Sequence, residues 1–187
     1  LHSFPTRRSS DLPSGERFAS EALRLVKVIH TPADARLWLV ATGWQSPELI
    51  TDAVCRQGSK AEAEAMARVL ALVEAPEAAL SMLRVQLESK AQAVALEWFA
   101  NYPLAAVVGL TPVAAENTGK LGTAARSILD AHHRSGRTDV LKAAKPHLDP
   151  ACAAFLQREI IESVEDVLPE IPDAELPAAV REALAGV

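Results

Sequence analysis

Two cysteines, one tyrosine and four phenylalanines in 187 residues leave this chain poor in groups that commonly do chemistry or hold metals. Cys55 and Cys152 lie far apart and form no CxxC or Cys/His spacing of the kind zinc requires. They read as buried, reduced thiols of a cytoplasmic protein. No apolar run approaches the roughly 18 residues that cross a bilayer. The longest, residues 104–110, contains Gly109 and stops well short, so no membrane partner is expected. A formal net charge of −5 provides no long-range attraction for phosphates, which sets nucleic acid aside as a partner of this segment.

What the chain has is alanine and leucine. Hydrophobic residues make up 49% of it and aromatics only 4%, a balance that favours helix. Its length suits one domain or a piece of a longer array. Phe18, Ala22, Leu25 and Ile29 share one helical face. Thr31-Pro32 reads as a cap followed by proline at the first helical position, where the missing N–H costs nothing. The helix that follows carries Leu37, Trp38 and Val40. Gly43 is a stop, and Ser46-Pro47 repeats the signal before Leu49, Ile50, Ala53 and Val54. Ser59 and Glu62 fit a capping box ahead of Met66, Val69, Leu70 and Val73.

Pro76 opens a helix with Leu80, Leu83 and Leu87 inward, and another carries Val94, Trp98 and Phe99 to Asn101. The few polar residues between them predict a helical hairpin. After a short helix from Pro103 and a loop near residues 116–120, Leu121, Ala125, Ile128, Leu129 and His132 resume the period. Ser135-Gly136-Arg137 closes that helix, Thr138 caps a short one, and Asp149-Pro150 starts another bearing Phe155, Leu156, Ile160 and Ile161. Nothing alternates with a period of two, so no β-sheet is expected. The fold class is all-α: antiparallel helix pairs stacked as a HEAT- or armadillo-like solenoid, with a compact orthogonal bundle as the alternative.

Residues 1–12 read as the translation of a sequencing adapter, because the bases TTCCCTACACGACGCTCTTCCGATCT encode residues 4–12. Arg7, Arg8 and Asp11 also interrupt any apolar core of a secretory signal. Three regions follow: 1–12 as non-native sequence, 13–164 as a helical-repeat segment of a longer protein, and 165–187 as a proline-rich linker and the start of a further helix.

Candidate sites are sparse. Thr118-Gly119-Lys120 lacks the upstream glycine and following hydroxyl of a phosphate loop, since Ala114 and Leu121 stand there. His132, His133, His147 and Cys152 fail as a metal set, because adjacent helical histidines point about 100° apart. That leaves His132 at the core edge and His133 in solvent. Glu62 with Glu64, and Glu165 with Asp166, read as solvated faces. Ser127 and Ser163 have no glycine-rich elbow. Trp98 reads as core, whereas Trp44, in a turn between Gly43 and Gln45, is the candidate interaction residue. No catalytic residue, cofactor or metal is expected.

The segments 97–110 (EWFANYPLAAVVGL), 124–126 (AAR) and 164–169 (VEDVLP) resemble the helical-repeat region of large bacterial WGR-domain proteins, also called molybdate metabolism regulator (MolR)-like proteins. There a helix ending in tryptophan precedes a P-x-A-A-x-x-G-L helix. The resemblance covers about residues 78–187 and implies a scaffold inside a multidomain protein, with no catalytic residues to carry over; the WGR signature itself is absent from this chain. The functional expectation is a non-catalytic scaffold or interaction segment whose partners are other domains of the same protein or a separate protein. The alternative is a structural part of an enzyme whose catalytic residues lie outside this chain.

Overall fold

In the computed structural model, which describes residues 29–42, 47–116 and 119–163, helices begin mostly where proline and hydroxyl signals place them. Helix α1 spans Pro32–Thr42. The Thr31 hydroxyl accepts the Asp34 amide at 3.2 Å, and the Asp34 carboxylate accepts the Thr31 and His30 amides at 2.9 and 3.2 Å. These bonds, the Thr31 ones foremost, hold the Asp34 carboxyl below its usual value. Helices α2 (Glu48–Arg56) and α3 (Lys60–Leu70) follow. Ser59 occupies the cap position of α3 but makes no side-chain cap bond, a departure from the expected box. Ser59 and Glu62 are both exposed, so water can serve those amides and nothing forces the reciprocal pair.

A 3-10 turn, Pro76–Ala78, leads into α4 (Ala79–Glu88), and α5 (Gln92–Asn101) returns against it as the expected hairpin. At Tyr102 the chain turns by 110° into α6 (Pro103–Glu116). Then come α7 (Lys120–Arg134), α8 (Thr138–Ala144) and α9 (Pro150–Phe155), the last running on as a π-helical turn, Leu156–Ile161. The wider i+5 bond is made by the Glu162 amide to the Gln157 carbonyl at 2.8 Å. The described residues are thus all-α, with nine α-helices and no strand.

Thr138 does not cap α8 as expected. Arg137 holds that position, and the Thr138 hydroxyl instead meets His133 Nδ1 at 3.3 Å. Asp149 does cap α9: its Oδ1 accepts the Ala151 and Cys152 amides at 2.9 and 3.0 Å, and the bond from Cys152 in particular holds its carboxyl below the usual value. A carboxylate with a lowered folded value stabilises above about 3.8 and loses that contribution as pH falls further. Asp149→Ala is therefore expected to melt a few degrees below the parent at pH 7, and the gap to close as the pH is taken toward 2. Asp149→Asn, which caps without titrating, should keep the neutral-pH stability; thermal melts across that range check both.

Faces follow the sequence less closely than starts. Trp38, Ile50, Ala53, Val54, Met66, Val69, Leu70 and Leu83 are buried as expected, but Leu37, Val40 and Leu80 are 65%, 84% and 41% exposed. Helix α1 packs chiefly on α3, and a single neighbour covers a narrower strip than the apolar residues occupy. Helix α6, by contrast, is apolar on every side and touches α4, α5, α7, α8, α9 and the turn at Pro76. It is longer than the short helix expected, running through Pro112. Proline removes one backbone donor there, and the Thr111 hydroxyl donates back to the Val107 carbonyl at 2.6 Å. Gly109 sets how near α6 can lie to that turn. A Cβ at Gly109 would overlap the Pro76 carbonyl oxygen and come within 2.6 Å of Ala79 Cβ.

Polar links tie successive helix pairs. Arg84 on α4 reaches Asp52 on α2 at 2.9 Å, and also Glu88 at 3.3 Å. Lys90, in the α4–α5 loop, donates to the Gly58 carbonyl in the α2–α3 loop. The Trp98 indole N–H donates to the Val73 carbonyl at 2.7 Å, and the Tyr102 hydroxyl to Glu74 at 2.9 Å.

Candidate functional site

The expected interaction residue, Trp44, lies outside the described residues, as do regions 1–12 and 165–187. Trp38 and Trp98 are 1% exposed, and the Trp98 ring sits edge-on to Phe99 at 5.5 Å and tilted against Tyr102 at 5.7 Å. Both are core groups. The surface features with functional potential are two open grooves.

The first runs between α3 and α5 and encloses about 310 Å³. Arg68 and Leu72 form one wall, and Glu97, Asn101 and Tyr102 the other, with the edge of Trp98 as floor. Their placement follows from helical spacing: Val94 and Trp98 face inward on α5, so Glu97 and Asn101 stand at the margin. Arg68 and Glu97 approach to 3.8 Å across the opening while both stay more than half exposed. Leu72 is 67% exposed. Glu74, accepting the Tyr102 hydroxyl, holds that phenol above its usual value.

The second groove, also about 310 Å³, lies between α7 and the π turn and is lined by Arg126, Asp130, His133, Arg134, Glu159 and Ser163. Arg126 stacks over the Phe155 ring at 5.1 Å and meets Glu159 at 3.7 Å. Its cations and carboxylates balance, which suits polar docking and gives no desolvated acid–base pair.

The residues weighed in the sequence do not converge on either groove. Among the described residues no three His, Cys, Asp or Glu side chains stand together as a metal set. Burial and Asp149 push the Cys152 thiol up to about 11; burial, then Glu88, raises the half-buried Cys55 thiol. A raised thiol is a poor nucleophile near neutral pH. Gly119 precedes the first residue of α7, Lys120, and Ser127 and Ser163 are exposed. Glu64 pairs with Lys60 at 3.7 Å. Glu165 and Asp166 fall outside the described residues.

Comparison with family models, curated proteins and solved structures finds no match to this chain. No single helix among the described residues is long and apolar enough to cross a membrane.

The sequence did not disclose the grooves, because each joins helices about a helix pair apart in the chain. The signal that could have found the first was the exposed run Glu97, Ala100 and Asn101 on a helix whose other face is apolar. His132 is buried at 7% exposure, at the core edge where spacing placed it, and its Nε2 has no hydrogen-bond partner. Burial, and then the charge of Arg137, lowers its proton affinity.

Proposed function

We propose that this chain is a non-catalytic scaffold, a HEAT-like stack of helix pairs within a larger cytoplasmic, multidomain bacterial protein related to the WGR/MolR-like group. The observation that carries the reading is the spacing of its long-range polar links. Arg84 to Asp52, Lys90 to Gly58, Tyr102 to Glu74, Trp98 to Val73 and Arg137 to Ala100 join residues 25 to 37 positions apart. That is about one helix pair, and like helices also touch like: α2 with α4, and α3 with α5. An array in which each unit buries its face against the next produces this pattern. Its open grooves suit a protein segment or a neighbouring domain better than an enclosed small molecule.

One observation favours the compact bundle instead, namely that α6 is surrounded by neighbours from both sides of the chain. Recovering the adjoining coding sequence separates the readings. Further helix pairs of about the same length, together with a WGR-type domain, support the scaffold. A catalytic domain packed against these helices would make the chain a structural part of an enzyme, and an adjoining sequence without further helix pairs would favour the bundle.

A further inference from the structure

A buried imidazole with an unsatisfied nitrogen stands beside the arginine that ties two corners of the fold together. His132 sits in the last turn of α7, and the turn after it folds back upon it. The Ser135 hydroxyl and the Arg137 amide both donate to the His132 carbonyl at 3.0 Å, and Gly136 adopts the positive φ of 76° that lets the chain reverse there. From that turn the Arg137 guanidinium reaches the Ala100 carbonyl at 3.4 Å, at the C-terminal end of α5. The neighbours of Ala100 are Asn101 and Tyr102, which wall the first groove.

We propose that His132 and Arg137 form an acid-responsive latch: a proton arriving on His132 Nε2 finds no acceptor and stands against Arg137, which then releases the Ala100 carbonyl and loosens the corner that shapes the α3–α5 groove. The loosening of that corner stands without the scaffold reading, whereas its use in binding rests on it.

The surrounding charges leave the latch to these two residues. Helix α6 carries Glu116 alone, at its far end, and α8 carries Asp139 and Lys142, both exposed. On α4, Arg84 and Glu88 are engaged with each other and with Asp52, and on the π turn Arg158 is exposed while Glu159 pairs with Arg126. The neighbouring His133 bonds Thr138. Among the described residues, Arg137 is the charged group whose field bears on the His132 ring.

The sign is fixed by the direction of that effect. A histidine that protonates less readily in the closed form than in the open one favours opening as pH falls below about 6.5. The opening equilibrium then shifts up to about tenfold for each pH unit separating the two midpoints.

Two measurements on the whole chain test this. The first follows the His132 ring proton by NMR against pH in the parent and in Arg137→Gln. The expected result is a parent midpoint below 6.5 that moves up in the variant; a parent midpoint at or above 6.5, or one unmoved by Arg137→Gln, overturns the latch. The second reads amide hydrogen exchange at Ser135, Gly136 and Arg137 between pH 7.5 and 5.5, corrected for intrinsic rates. Protection should fall in step with the His132 titration, and should be insensitive to pH in His132→Gln. Protection that stays constant in the parent, or falls equally in His132→Gln, overturns it. Should His132→Gln fail to fold, the ring titration and the parent exchange profile decide the matter alone.

Discussion

Trp98→Ala is expected to lower the free energy of unfolding by about 3–5 kcal/mol, out of roughly 5–15 kcal/mol available to a domain of this size. The indole is 1% exposed and holds Phe99 and Tyr102 around it, so truncation leaves a cavity that rigid helices fill poorly. It also strands the Val73 carbonyl, which accepts the indole N–H at 2.7 Å in a residue 2% exposed. Trp98→Phe separates the two contributions. It keeps most of the packing and loses the bond, which costs about 1–3 kcal/mol for an unsatisfied buried carbonyl. Urea unfolding followed by far-ultraviolet circular dichroism measures both variants. If Trp98→Phe proves as stable as the parent, the hydrogen bond contributes little and the packing carries the site.

Gly109→Ala should reverse the ordinary sign of its substitution. In an exposed helix interior, glycine to alanine gains about 1 kcal/mol. Here the new methyl overlaps the Pro76 carbonyl oxygen and crowds Ala79 Cβ at 2.6 Å. Both obstacles belong to the backbone or sit directly on it, so no flexible side chain can swing aside. Overpacking of this kind costs about 1–3 kcal/mol, occasionally more, and α6 would have to move away from the turn it rests on. Gly58→Ala is the control, because a Cβ there meets nothing within 4 Å. A Gly109→Ala melting point equal to or above the parent's would show that the close approach is not required.

Helix class and most helix starts were legible because they are local. Thr31-Pro32 and Asp149-Pro150 announce their caps within three or four residues, and both caps form. Exposure was legible only where a helix has neighbours to cover its stripe. Leu37, Val40 and Leu80 are apolar at helical spacing and still face outward, since no described helix covers them. Ser59 carries the right letters for a box and makes no cap bond, because a solvated end needs none. The π turn left no trace that periodicity could detect: Leu156 and Ile160 are as compatible with an α-helix. Gly109 was visible as a letter in a motif, but its reason, the turn at Pro76, lies some thirty residues earlier. The grooves and the His132–Arg137 pair depend on which helices stack, and no local pattern encodes that. The site expected at Trp44 lies outside the described residues.

The π turn at Leu156–Ile161 also bears on how this stretch tolerates change in length. A bond from Glu162 back to Gln157 encloses one residue more than an α-helical bond would. Deleting a single residue there would leave a regular helix that is locally more favourable. It would also rotate everything beyond by about 100°, carrying Ile160 out of the core and Glu159 away from Arg126. A one-residue deletion, normally absorbed at the end of a helix, would here dismantle a wall of the second groove while leaving the helical content nearly unchanged.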